Sequence, residues 1–132
     1  MEVQKTALYE THKNLGARFA PFAGYEMPIQ YSDGVVKEHI STRTYAGFFD
    51  VSHMGQLYIE GGSSVEDALE KIIPADLKNL DMNQSKYSFL LNLEGGIIDD
   101  LIITKQKHGF YIVLNAACKD NDIKHISKNL TE

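Results

Sequence analysis

Two adjacent carboxylates, Asp99 and Asp100, follow Gly95-Gly96 closely, and an Asn-Ala-Ala run begins at Asn115. A carboxylate and an amide that converge on a mostly apolar surface can hydrogen-bond a ligand amine or exchange a proton with it. Adjacent side chains of a strand point to opposite faces, so only one of the two acids can join a given site. If Lys107-His108 forms a two-residue loop, or Gln106 to Gly109 a four-residue one, Asp100 opposes Asn115, Ile102 opposes Val113, and Thr104 opposes Tyr111. All six then share one face, while Asp99, Leu101 and Ile103 turn toward a covering layer. An even-numbered loop around Leu93-Glu94-Gly95-Gly96 adds Tyr87 to the Asp100 face. On such an apolar face the Asp100 carboxyl is expected to ionise with difficulty, its pKa raised. The same pair also suits a plainer role, as polar groups at a turn and strand edge. No further acidic or His ligands stand at supporting spacing, so no metal is expected.

The elements that must position these residues are marked by period and punctuation. Thr6 to Leu15 suits a short helix with Thr6 as N-cap and Gly16 as its stop. Phe19 to Tyr31, broken by Pro21, Gly24 and Pro28, is expected to be an ordered apolar loop. Ser32 or Asp33 then caps a second helix that ends near Gly47. Asp50 to Glu60 suits a strand closed by Gly61-Gly62. Ser63 and Glu66 have capping-box spacing at the head of a helix with Val65, Leu69, Ile72 and Ile73 at helical intervals, ended by Pro74. Strands are expected at Lys86 to Asn92, Ile97 to Thr104 and Gly109 to Asn115, and a polar helix over Lys119 to Leu130. The order from residue 50 is β-α-β-β-β-α, an α+β arrangement of an antiparallel sheet flanked by helices.

Composition narrows the class. The 132 residues are 43% hydrophobic, enough for one packed domain, and one Cys cannot staple its own chain. A net charge of −5 opposes nucleic-acid binding, and no apolar run spans a membrane. Met1-Glu2-Val3-Gln4-Lys5 has neither a signal peptide's apolar stretch nor the Arg-rich character of a transit peptide, so a cytoplasmic location is the expectation. His53 in Ser52-His53-Met54-Gly55 could act as a general base, although a structural His suits a strand start better. Cys118 lacks a neighbouring base, and His39 and Arg43, four apart on the second helix, suit a surface or interdomain contact.

Four separated blocks carry a resemblance. They are Pro21-Phe22-Ala23-Gly24-Tyr25-Glu26-Met27-Pro28, Gly47-Phe48-Phe49-Asp50-Val51-Ser52-His53-Met54-Gly55, Gly95-Gly96-Ile97-Ile98-Asp99-Asp100-Leu101, and Asn115-Ala116-Ala117 with Lys119-Asp120. Together they resemble the aminomethyltransferases of the glycine cleavage system, the T-protein family. The resemblance implies transfer of a one-carbon unit from an aminomethyl group on the lipoyl arm of the H-protein to tetrahydrofolate, with release of ammonia. It implies tetrahydrofolate as co-substrate and the lipoylated H-protein as partner. It maps the family's acidic residue to Asp100, where it would position the pteridine and assist the folate amine as nucleophile. The folate-lining Met, Tyr and Asn map to Met54, Tyr87 and Asn115, beside the Ile102 and Val113 found from register.

Family members are more than twice this length, so the resemblance implies an N-terminal portion only. Residues 1–49 would belong to a first folate-binding domain and 50–132 to a sheet domain, both completed by later sequence. The enzyme would be the full-length protein, cytoplasmic in a bacterium or in the mitochondrial matrix of a eukaryote, and the 132 residues alone would be inactive. The alternatives are a non-catalytic fragment or ferredoxin-like binding module, and a folate-dependent demethylase of the same superfamily.

Overall fold

The computed structural model describes residues 3–130; the outer ends of the expected segments 1–49 and 50–132, at residues 1–2 and 131–132, lie outside them. The chain divides into two compact units, Met1–His53 and Met54–Glu132.

In the first unit, helix α1 (Tyr9–Asn14) precedes strands β1 (Arg18–Phe22) and β2 (Tyr25–Gln30), and helix α2 (Gly34–Thr44) follows. The expected loop over Phe19 to Tyr31 is instead a two-stranded antiparallel hairpin, with Phe22 opposite Tyr25. Its two turn residues, Ala23 and Gly24, both have positive φ (48° and 82°), the conformation that matches the twist of paired strands. Pro21 and Pro28 are tolerated because both strands of a two-stranded sheet are edges. Thr6 does not cap α1. Its backbone carbonyl accepts from Tyr9 N, and its hydroxyl donates to Asp50 Oδ2 at 3.2 Å. Val35, Val36 and Ile40 of α2 and the following Phe48 and Phe49 are exposed.

The second unit begins with strand β3 (Gly55–Glu60), later than the expected start at Asp50 because Asp50 is drawn into hydrogen bonds of the first unit. Helix α3 (Ser63–Glu70), strands β4 (Ser85–Leu91), β5 (Ile97–Gln106) and β6 (Gly109–Leu114), and helix α4 (Lys119–Leu130) follow. The expected capping box does not form. Gly62 caps α3 through its carbonyl, and Glu66 pairs with Lys105 Nζ at 3.1 Å. The sheet is antiparallel in the order β3-β6-β5-β4. One face is apolar, with Ile59, Leu90, Leu101, Ile103, Phe110, Ile112 and Leu114 packed with Leu69, Ile72, Ile73 and Ile126. The β5–β6 turn depends on Gly109, with φ at 152°, where an added Cβ would stand 1.9 Å from the Ile59 carbonyl oxygen. Among the described residues, no helix is long and apolar enough to cross a membrane.

Candidate functional site

Alternation along the strands of the second unit separates the two neighbouring acids. Strands β5 and β6 pair with Ile102 opposite Val113 and Thr104 opposite Tyr111. The ladder ends at Leu101 and Leu114, and one step beyond it the Asn115 side chain bonds Asp100: Nδ2 donates to Asp100 Oδ1 at 2.6 Å. Strands β4 and β5 pair with Tyr87 opposite Ile102 and Phe89 opposite Asp100, despite a register shift between Leu90 and Leu91. The Tyr87 hydroxyl donates to Asp100 Oδ2 at 2.8 Å. Both Asp100 oxygens therefore hold a fixed donor.

These two hydrogen bonds decide the charge of Asp100. Tyr87 first and Asn115 second hold its carboxyl below the ordinary carboxylate value, outweighing the small effect of burial. The expectation of a raised pKa is thus corrected: the sheet face is apolar in composition but open, and donors to the anion dominate. Asp100 is ionised near neutrality and is a weak base. Its chemistry is to accept an N–H and to stabilise positive charge. In return, the Tyr87 hydroxyl is raised by its bond to Asp100.

Around this carboxylate, Tyr87, Ile102 and Phe89 are exposed to 60%, 43% and 36%, and Val113 is half-buried. Farther along the same face, Tyr111 donates to Gln56 Oε1 at 3.0 Å, and Ser85 and Thr104 pair their hydroxyls at 2.8 Å. Met54, half-buried, immediately precedes β3, where Gly55 opposes Leu114; one more step of that register sets it beside Asn115. Tyr87, Asp100, Ile102, Val113 and Asn115 thus come together, with Met54 at the same end of the sheet. Phe89 and the Gln56–Tyr111 pair also belong to this face. Simple alternation from Tyr87 reaches Phe89, and the β3–β6 pairing reaches the other two.

Behind the sheet the picture is reversed. Asn115 Nδ2 also lies 3.1 Å from Asp99 Oδ1, so its amide links the two acids through the end of the sheet. On the helix side, Asp122 of α4 is fully buried. Burial first, then the neighbouring Asp99 carboxyl, push its carboxyl up to about 7. Cys118, one turn earlier, is raised by burial and then by Asp99, so its thiol is not a ready nucleophile. Asp122 was not apparent in a helix that looked uniformly polar.

In the first unit, Asp50 accepts from Ser52, His12 and Thr6, and the His12 Nδ1 side meets the Tyr31 hydroxyl at 2.7 Å. Burial raises the Asp50 carboxyl, but the Ser52 hydroxyl and backbone, His12 and Thr6 together hold it at about 2. His53 lies edge-on to Phe22 and Tyr25, at 5.8 and 6.3 Å between ring centres, as suits a structural His. His39 and Arg43 are exposed on α2.

Comparison with known proteins bears on both units. The GCVT N-terminal domain family model matches residues 8–132. A mitochondrial aminomethyltransferase of Dictyostelium discoideum is 51% identical over 99% of this chain and 32% of its own length. An aminomethyltransferase of Rubrobacter xylanophilus is 40% identical over 98% of this chain and 34% of its own. The crystal structure of glycine cleavage system aminomethyltransferase T from Bartonella henselae superposes with a TM-score of 0.89 at 43% identity, covering 96% of this chain and 35% of that one. The chain spans about a third of the length of these relatives.

Proposed function

The chain belongs to the GCVT N-terminal domain family, and on that premise we propose that it is the N-terminal portion of a tetrahydrofolate-dependent aminomethyltransferase of the glycine cleavage system. The full-length protein takes the aminomethyl group from the lipoyl arm of the H-protein, releases ammonia, and leaves the one-carbon unit on tetrahydrofolate. Residues 1–49 contribute to its first folate-binding domain and 50–132 to its α+β sheet domain. The reaction takes place in a bacterial cytoplasm or a mitochondrial matrix.

The observation that carries this reading is the Asp100 carboxylate, held ionised by Tyr87 and Asn115 on an open sheet face with Ile102, Val113 and Phe89 beside it. A flat, amine-bearing heterocycle matches such a face: its ring covers the apolar and aromatic side chains while its N–H groups meet the anion. Asp100 accepts the N–H of the folate amine that attacks the one-carbon unit. As that nitrogen gains a bond it gains positive charge, which the fixed anion stabilises without reorganising. Met54, Tyr87, Ile102, Val113 and Asn115 line the folate, and Asn115 and Tyr87 also orient Asp100.

The test is turnover by the full-length protein with tetrahydrofolate and aminomethylated H-protein, following ammonia and methylenetetrahydrofolate together. Equal yields of both support the reading. Inertness toward that donor, with transfer of a methyl group from a sulfur or nitrogen methyl donor, identifies a folate-dependent demethylase instead.

A further inference from the structure

The acids behind the sheet have no part in that chemistry, yet one of them, Asp99, touches the Asn115 amide that holds Asp100. Both Asp122 oxygens and Asp99 Oδ2 are buried without a hydrogen-bond donor. Two anions facing each other in an apolar layer repel and forfeit hydration that nothing replaces. One proton removes the repulsion and pairs two of these three oxygens, since it turns one Asp122 oxygen into a donor and Asp99 Oδ2 into its acceptor. The other Asp122 oxygen is left as the carbonyl of a neutral acid, far less costly to bury than an anion. The remaining Asp99 oxygen, Oδ1, then accepts from Asn115 Nδ2, which also meets Asp100 Oδ1 and, at 3.3 Å, the Asp100 carbonyl. Three acceptors around one nitrogen fix the orientation of that amide.

We propose that Asp122 is a positioning residue: as a neutral buried acid it donates to Asp99, which holds the Asn115 amide and through it the Asp100 carboxylate. This deepens the functional reading above and rests on it for the activity measurement alone. Asp99 on β5 is the charged group that acts on Asp122, with the Cys118 thiol against the same pair. On α3, Glu66 is bound to Lys105 and Glu70 accepts from Leu77 N and Lys78 N. On β3, the titratable Tyr58 and Glu60 belong to the open face. On α4 itself, His125 is bonded to the Leu91 carbonyl oxygen. Above neutrality the shared proton is lost and two anions meet behind Asn115, so the arrangement loosens as pH rises.

The experiment uses the full-length protein carrying labelled aspartate carboxyls, observed by carbon NMR across pH, with the side-chain amide of Asn115 followed in parallel. One carboxyl should titrate near neutrality, vanish in Asp122→Asn, and move to lower pH in Asp99→Asn, where an amide donor replaces the acid. The Asn115 amide should shift with the same midpoint, whether or not folate is the substrate. In turnover, Asp122→Asn retains a neutral donor and should stay within about threefold while losing the alkaline fall of kcat. Asp122→Val keeps the volume without the donor and should lose ~10-fold or more in kcat with little change in the KM for folate. An ordinary carboxylate titration for Asp122, or an Asn115 amide indifferent to it, overturns the proposal. So do equal losses in the Asn and Val variants.

Discussion

Tyr87 and Asp100 are diagonal neighbours on antiparallel strands β4 and β5, and the phenol donates to the carboxylate at 2.8 Å. This contact is the largest cause of the low Asp100 value, so it sets the pH at which the anion appears. Tyr87→Phe keeps the ring but removes that donor, and the Asp100 carboxyl should rise toward the ordinary range. The acid limb of kcat/KM in the full-length protein should therefore move to higher pH, while turnover near neutrality falls by only about ten-fold or less. An acid limb that stays in place would assign that limb to another group.

Gly109 closes the hairpin that brings β6 against β5. Its φ of 152° and the Ile59 carbonyl 1.9 Å from any added Cβ leave no room for a side chain. Gly109→Ala should destabilise the protein by at least ~2 kcal/mol, through backbone strain and displacement of β3. Chemical denaturation checks this, and a midpoint unchanged from the parent would contradict it.

Two buried acids give pH dependences of opposite sign. Asp50 lies at about 2 in the folded chain against 3.8 for a free side chain, so its stabilisation is present above that range and is lost as pH falls through it. Asp122 is raised from 3.8 to about 7, so its contribution is complete at low pH and declines as pH rises between those values. Each slope is at most about 1.4 kcal/mol per pH unit. Thermal unfolding of Asp50→Asn should lose the acid-side decline, and Asp122→Asn the decline toward neutrality. The reverse pattern, or no change in either slope, would contradict both signs.

Much of this architecture was legible because period-2 alternation is strong in β4, β5 and β6. Ile102 opposite Val113 and Thr104 opposite Tyr111 follow from one even loop, and helix α4 has the expected bounds. The hairpin at Ala23-Gly24 was hidden by Pro21 and Pro28 and by Ala in a position that usually carries Asn or Gly. The capping box at Ser63 failed because Lys105, distant in sequence, takes Glu66. The charge of Asp100 is not legible in the sequence for the same reason: face composition is local, whereas its donors come from β4 and from the residue after β6. Asp122 was illegible because nothing in the Lys119–Leu130 sequence reveals that it lies against a second acid.

The central claim is that the Asp100 carboxylate serves the one-carbon transfer, and Asp100→Asn in the full-length protein tests it most directly. Asparagine keeps the shape and one acceptor oxygen but removes the fixed negative charge. Steady-state turnover with tetrahydrofolate and aminomethylated H-protein, measured beside a folate titration, separates chemistry from binding. Turnover should fall by ~10²-fold or more, the scale of a lost preorganised electrostatic group, while folate affinity falls far less. Turnover within a few-fold of the parent, or a loss of affinity that accounts for the whole loss of rate, would contradict that role for Asp100.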